Sequence, residues 1–145
     1  MARCVVSTLM AAVAAGMVAM ATGHAADLSK QTAVEVGIEL GTKDGNRVFS
    51  PSSLTFEAGK LYKLMLKNPS GEDHYFSSPP FGAAVWSRKV EAGKAEVKGN
   101  IREIEVKPGG EAEWYFVPVQ AGTFDLQCTI PGHAAAGMTG KLTVE

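Results

Sequence analysis

Three side chains near the C-terminus have the chemistry to bind a soft metal ion. Cys128 is followed five residues later by His133, and His133 is followed five residues later by Met138. Their thiolate, imidazole and thioether groups form a mixed nitrogen and sulfur ligand set, which suits copper better than magnesium, calcium or manganese. The spacing therefore predicts a copper site on one short loop.

His74 is the candidate for a fourth ligand. A trigonal copper site of one cysteine and two histidines, with methionine as a weak axial ligand, needs one further imidazole. Outside residues 1–25, His74 is the one histidine other than His133, and it follows a polar turn, Asn68–Asp73. We therefore predict four metal ligands, which are His74, Cys128, His133 and Met138.

The same residues have other possible roles. A free cysteine is commonly an inert core residue, and a single histidine or methionine needs no function. Cys128 could instead be a nucleophile with His133 as its base, although no Asp or Asn obviously orients His133. A structural zinc site is a further alternative, but methionine is a poor zinc ligand.

The segment Thr123–Cys128 is predicted to be a strand that ends at the thiol. Its residue types alternate, so that Leu126 shares the core-facing side with Cys128. A tight loop, Thr129–Gly140, then carries the other two ligands of this region, and Lys141–Val144 forms a closing strand. Two strands thus hold the ends of the predicted metal loop.

The rest of the chain reads as all-β. Short alternating or strongly apolar segments are separated by turns rich in Gly, Asn and Pro, which is typical of a β-sandwich or Greek-key barrel. The predicted strands are Val34–Leu40, Leu61–Lys67, an extended segment from His74 to Phe76, Ile101–Val106 and Glu111–Val117.

Residues 77–100 fit this pattern least. They contain Pro79 and Pro80, then Phe81 to Trp86, then a charged run with a glycine inside it. A short helix, an edge strand and a surface loop all remain open. We favour a solvated excursion that is held to the core by Phe81 and Trp86.

The N-terminus, residues 1–25, has the pattern of an export signal. Arg3 precedes an almost unbroken apolar run, Cys4–Ala21, and small residues at Gly23 and Ala25 offer a cleavage site. A membrane anchor is the competing interpretation, but the alanine-rich run and the small-residue exit favour a cleaved signal. Residues 26–145 would then form a single domain.

The charge and cysteine content of residues 26–145 exclude several classes of function. Arg3 is lost with the signal whereas all acidic residues remain, so 13 basic and 15 acidic residues give a formal charge of −2. This balance argues against nucleic acid or an anionic membrane surface as the main partner. Cys128 is the only cysteine left, so no intramolecular disulfide can form, and metal ligation is the simplest explanation of the lone thiol.

The segment from Cys128 to Met138, CTIPGHAAAGM, closely resembles the C-terminal copper loop of cupredoxins, the plastocyanin/azurin-like blue copper proteins. In that family the first copper histidine lies in a loop after a central strand, which matches His74 after Leu61–Lys67. The resemblance implies an all-β, Greek-key β-sandwich in a single domain. It departs from the family at Tyr75, where members often have Asn or another small polar residue that bonds across to the cysteine loop.

The resemblance also implies a function. It implies an exported protein that binds one copper ion, which cycles between Cu(I) and Cu(II). We expect it to be periplasmic or otherwise exported, and to be a monomer. We expect that it is not an enzyme, since no further histidines are present outside residues 1–25 to build a substrate-binding second copper site. Single electrons would pass between redox protein partners, such as c-type cytochromes or a copper/haem oxidoreductase. A periplasmic protein that buffers or delivers copper would use the same ligands and stays open as the alternative.

We expect electrons to pass through the edge of His133. The residues around it are small or apolar and uncharged, which predicts a compact apolar surface where a redox partner can approach closely. On this interpretation the imidazole edge reaches the surface while Cys128 stays buried beneath it. The neighbouring residues are Ile130, Pro131, Ala134, Ala135, Ala136 and Gly137.

Overall fold

The computed structural model describes residues 27–145, so the predicted export signal lies outside the described residues. A 3-10 turn, Leu28–Lys30, precedes the first strand, and one short helix, α1 (Pro79–Ala83), interrupts the strands. The strands are β1 (Val34–Leu40), β2 (Phe49–Ser50), β3 (Ser53–Phe56), β4 (Tyr62–Lys67), β5 (His74–Ser77), β6 (Val85–Ala92), β7 (Ala95–Val97), β8 (Glu103–Val106), β9 (Glu111–Pro118), β10 (Gly122–Gln127) and β11 (Thr139–Val144).

These strands form two sheets. The first has the order β2-β1-β4-β9-β6-β7, and the second has the order β3-β11-β10-β5-β8. Both sheets are mixed, because β1 pairs parallel with β4 and β11 pairs parallel with β3. The prediction of an all-β, single-domain Greek-key sandwich is confirmed, and no helix within residues 27–145 is long and apolar enough to cross a lipid bilayer.

The core lies between the two sheets. Alternation along β4 buries Leu64 and Leu66 completely. From β9, Trp114 and Phe116 contribute large rings, and the Phe116 ring meets that of Phe56 edge to face at a centroid distance of 5.3 Å. Such buried aromatic pairs dominate the packing energy of small cores, so the metal loop is mounted on a well-packed scaffold.

The prediction that residues 77–100 form a solvated excursion is wrong. They fold into α1, β6 and β7, and β6 lies inside the first sheet, paired antiparallel with β9. Phe81 is fully buried as expected, but Trp86 is 43% exposed and does not hold the segment to the core. Two features made β6 difficult to predict from sequence. A bulge between Ser87 and Lys89 breaks its alternation, and its outer face carries charged side chains.

Candidate metal centre

Three of the four predicted ligands meet at one end of the second sheet. His74 is the first residue of β5, and Cys128 directly follows the last residue of β10. Because β5 and β10 pair antiparallel, the start of one lies at the same sheet end as the finish of the other. His133 reaches the same place from the loop that joins β10 to β11.

The donor atoms of this cluster converge on one point. His74 Nδ1 lies 3.2 Å from His133 Nδ1, and Cys128 Sγ lies 3.4 Å from His133 Nδ1. One ligand atom from each of the three residues lies within 4.8 Å of the others. The side chains are deeply buried, with 1%, 1% and 4% exposure for His74, Cys128 and His133. Two nitrogens and one sulfur that face each other in a dry site fit a copper ion well.

Backbone hydrogen bonds close the metal loop and place Met138 beside the cluster. The Cys128 N–H donates to the Met138 carbonyl at 3.1 Å, and the Met138 N–H donates to the His133 carbonyl at 3.0 Å. The His133 N–H donates in turn to the carbonyl of Ile130 at 3.0 Å. Met138 is completely buried, so its thioether is sequestered from water, and its backbone is bonded to both Cys128 and His133.

The loop before His74 is fixed by a buried asparagine that sequence reasoning did not single out. Asn68 Nδ2 donates to the carbonyls of Glu72 and Val106 at 2.7 and 2.8 Å. Its Oδ1 accepts from the Ser70 N–H at 3.0 Å and from the Ser70 hydroxyl at 2.7 Å. A polar side chain with every group satisfied stabilises the turn it spans, and this turn delivers His74 to the site.

Tyr75 contributes its backbone, not its side chain, to the cysteine. Its N–H points at Cys128 Sγ, with a nitrogen to sulfur distance of 3.4 Å. The phenol bonds Glu105 instead, which raises the pKa of Tyr75. A different bond ties the metal loop to β8, because the Thr129 hydroxyl donates to Glu103 at 2.9 Å. The cross-loop role expected of a small polar residue after His74 is therefore filled by other groups.

Gly41, at the end of β1, packs directly on the first histidine. A Cβ at this position would lie 2.5 Å from His74 Nε2 and 3.0 Å from the Ser70 side chain, and the Gly41 φ angle is +77°. Only glycine accepts both the contact and this backbone conformation without strain. The sequence marked the region only as a turn, since nothing local shows that it meets His74.

The expectation that the His133 edge reaches the surface is wrong. Its side chain is only 5% exposed, and Glu72 Oε2 lies 3.6 Å from His133 Nε2, on the ring side away from Cys128. Arg47 holds the Glu72 carboxylate through two bonds, from Nε and an Nη atom, each of 2.9 Å. These bonds lower the pKa of Glu72, so an ionised carboxylate borders the buried imidazole.

Burial favours the neutral form of the first histidine, His74. Desolvation lowers the pKa of His74 below its ordinary value, and the positive charge of a protonated His133 would lower it further. A neutral imidazole is the metal-binding form of histidine. The site therefore favours ligation over protonation at His74.

A β-sandwich with one buried cysteine and two buried histidines at one end of its sheets defines a class of mononuclear copper site. The family model for copper binding proteins, plastocyanin/azurin family, matches residues 36–145. The chain belongs to this family. Its predicted cofactor, one copper ion, is confirmed by that membership together with the buried ligand group.

Relatives and solved structures agree with this assignment. Plastocyanin A/B of Petroselinum crispum is 33% identical over 109 residues, which cover 74% of this chain and 97% of the plastocyanin. The copper-resistant cuproprotein CopI of Rubrivivax gelatinosus is 26% identical over 99 residues, which cover 66% of this chain and 59% of CopI. Dithionite-reduced auracyanin from Roseiflexus castenholzii has the same fold, with a TM-score of 0.54, 20% identity and coverage of 79% of this chain and 99% of the auracyanin chain.

Proposed function

We propose that this protein is an exported blue copper protein that carries single electrons between redox partners. The copper ligands are His74, Cys128, His133 and Met138. The observation that carries the proposal is the convergence of two imidazole nitrogens and a cysteine sulfur at a buried point. Similarity to plastocyanin supports the same function.

The surroundings of the ligands support electron transfer because they restrict movement. Copper that changes oxidation state prefers different geometries when its ligands are free, so fixed ligands keep the change in geometry small. Here β5 and β10 hold two of the ligands, and backbone bonds within the loop hold His133 and Met138. The Tyr75 N–H points at the Cys128 sulfur and would stabilise its negative charge when it binds copper as a thiolate.

Copper buffering or delivery is the second candidate. The similarity to the copper-resistant cuproprotein CopI favours it, and it would use the same ligands. Delivery requires copper to leave readily, whereas the three clustered ligands are at most 4% exposed. Burial therefore favours the electron carrier.

A copper enzyme would need a second, catalytic copper site. Among residues 27–145, only one group of His, Cys and acidic residues could hold a metal ion.

Export, the type of partner and the oligomeric state belong to the proposal as well. The sequence of residues 1–25 supports export to the periplasm. Small redox proteins such as c-type cytochromes, or a copper/haem oxidoreductase, are partners whose chemistry fits a one-electron carrier, and we propose that the protein acts as a monomer. The intact mass of the exported protein tests the first point, since cleavage before Ala26 removes Met1–Ala25.

A kinetic comparison separates the two candidate functions. Residues 26–145 are loaded with Cu(II) and mixed either with a reduced c-type cytochrome or with an excess of a copper chelator. An electron carrier oxidises the cytochrome within the mixing experiment and keeps its copper for hours. Copper transfer to the chelator that is faster than cytochrome oxidation would identify a delivery protein instead.

A further inference from the structure

Three loops meet at the side of His133 that faces away from the other ligands. Arg47 lies in the loop between β1 and β2, Glu72 lies between β4 and β5, and His133 lies between β10 and β11. Their charged and polar groups form a chain, in which Arg47 holds both carboxylate oxygens of Glu72, and one of these lies 3.6 Å from His133 Nε2. We call these three residues the Arg47–Glu72–His133 chain.

The two ring nitrogens of His133 face different surroundings. Nδ1 points into the cluster, at 3.2 Å from His74 Nδ1 and 3.4 Å from Cys128 Sγ. Nε2 points at Glu72. If Nδ1 binds the metal, a neutral imidazole must carry its proton on Nε2, and the group nearest to that proton is an anion. Histidines that bind metals commonly donate this second N–H to a carboxylate, which fixes the ring and makes it a better ligand.

Glu72 is held in position independently of His133. Its carbonyl accepts from Asn68 Nδ2 at 2.7 Å, and its N–H donates to the Ser70 hydroxyl at 3.2 Å. Arg47 fixes the carboxylate by a bidentate pair, the geometry that restricts a carboxylate most strongly. The acceptor is thus preorganised from both its backbone and its side chain.

We propose that Glu72 is a positioning residue for the copper ligand His133. Its carboxylate accepts a hydrogen bond from Nε2–H, sets the tautomer and orientation of the imidazole, and strengthens donation from Nδ1 to Cu(II), with Arg47 keeping the carboxylate in place. The inference rests on the proposed ligation of copper by His133. The 3.6 Å between Glu72 Oε2 and His133 Nε2 is longer than a hydrogen bond, and we expect the bond to form when Nδ1 binds the metal.

This role predicts an effect on the reduction potential. Better donation favours Cu(II) over Cu(I), so loss of the carboxylate raises the potential. Changes in such outer hydrogen-bond partners typically reduce metal affinity by about 10–100-fold. Each tenfold change in the ratio of Cu(II) to Cu(I) affinity corresponds to about 59 mV for a one-electron couple.

The test compares Glu72→Gln with Asp73→Asn. Both substitutions remove one negative charge from the same loop, but Asp73 pairs with Lys107 at 2.9 Å and not with His133. Cu(II) affinity, Cu(I) affinity and reduction potential are measured for both variants and for residues 26–145 of the wild type. We expect Glu72→Gln to lose about 10–100-fold in Cu(II) affinity, with a smaller loss in Cu(I) affinity and a raised potential. Equal shifts in the two variants would overturn the proposal, since only the lost charge would matter.

Arg47 supplies the second half of the test. Arg47→Ala frees the carboxylate and should speed the exchange of the His133 Nε2 proton with water, whereas Arg47→Lys, which can still pair with Glu72, should recover most of the wild-type protection. An NMR measurement on the Cu(I) protein provides a readout of the bond itself. The Nε2 proton of His133 should exchange slowly with water in the wild type and rapidly in Glu72→Ala.

The outcomes also separate this inference from the proposed function. In one outcome the wild type binds copper through Cys128, but the Glu72 variants keep the wild-type reduction potential and the slow exchange of the Nε2 proton. That outcome would contradict the positioning role alone. A wild-type protein without thiolate-to-copper absorption would contradict the proposed function, whatever the variants show.

Discussion

Gly41 shows how strictly single residues near the ligands are constrained. His74 Nε2 occupies the space where a side chain at position 41 would begin, only 2.5 Å from an added Cβ. The neighbouring Gly45 has a similar φ angle of +81°, but an added Cβ would meet nothing within 4 Å. The two glycines therefore separate the cost of the backbone conformation from the cost of the contact with the ligand.

Gly41→Ala should destabilise the protein and weaken copper binding. The left-handed backbone conformation costs alanine about 1 kcal/mol, and the clash with His74 adds to this cost. Gly45→Ala is the matched control, for which we expect only the backbone cost and an unchanged copper affinity. Urea unfolding and a copper titration of each variant check this, and equal copper affinity in both variants would contradict the importance of the Gly41 contact.

Met138→Leu should leave copper bound and raise the reduction potential. A weak axial thioether stabilises Cu(II) slightly, so a hydrocarbon in its place favours Cu(I). Met138 is fully buried, and a volume-conserving change there costs less than about 1.5 kcal/mol of stability. Voltammetry and metal analysis of the variant provide the measurement. If copper were lost, the thioether would be needed to assemble the site rather than to adjust it.

Among the structural elements, the loop Asn68–Asp73 positions groups beside both histidines of the site. It connects β4 to β5, delivers His74 to the cluster and carries Glu72 to the far side of His133. Its shape depends on Asn68, which is 1% exposed and bonds to groups on both sides of the loop and to Val106 on β8. Replacement of Asn68 should therefore shift His74 and also the Glu72 carboxylate beside His133.

Asn68→Ala should lower the free energy of unfolding by about 2–3 kcal/mol, because it removes several buried hydrogen bonds and leaves their partners unsatisfied. The variant should also bind copper less tightly. Asn46→Ala serves as the control, since Asn46 is exposed and its replacement should change either quantity little. Chemical denaturation and copper titration decide between these results, and a stable variant with wild-type affinity would show that the loop keeps its shape without Asn68.

The sequence predicted the elements with regular patterns and missed those whose pattern is disturbed. The strand ending at Cys128 was predicted to within one residue, because alternation from Thr123 onward is clean. The strand β6 was missed because a bulge after Ser87 shifts its alternation. A run of charged residues such as Lys89 and Glu91 is typical of a solvated loop. In the structure, these side chains lie on the outer face of an interior strand, where Lys89 pairs with Glu91 and Glu96.

In the candidate site, too, some features could be predicted from the sequence and others could not. The clustering of Cys128 and His133 could be predicted from residue type and spacing within one loop, and His74 could be added because it is the one other histidine outside residues 1–25. The contacts of Gly41 and Glu72 could not, because they depend on loops that are distant in sequence and meet only in the folded sandwich. Contacts between residues that are distant in sequence produce no periodic pattern in the local sequence, so they could not be predicted from it.

For the whole molecule, the surface of the metal loop is the proposed docking area. Ala135, Ala136 and Gly137 are exposed, and the loop itself carries no charge. The Arg47–Glu72 pair meets the same loop at His133. Redox encounters use small interfaces, so a partner that approaches the loop must desolvate these few residues.

Ala135→Glu and Ala135→Lys should both slow electron transfer to a redox partner, because either charge opposes desolvation of the docking area. We expect a slowing of about tenfold, which corresponds to about 1.4 kcal/mol in the barrier. Ala58→Glu is the control, since Ala58 is exposed in the turn before β4, at the opposite end of that strand from the site. Stopped-flow rates at several salt concentrations provide the measurement. Acceleration by one sign with strong salt dependence would show that docking is electrostatic.

The visible absorption spectrum of Cu(II)-loaded protein, residues 26–145, tests most directly whether Cys128 is a copper ligand in a redox-active site. The wild type should be intensely blue or green through thiolate-to-copper charge transfer. Cys128→Ser should lose this colour completely, and His74→Ala should keep thiolate absorption in a perturbed form, because one equatorial ligand is missing. A colourless wild type, or a Cys128→Ser variant that keeps the wild-type spectrum, would contradict copper ligation by this thiolate.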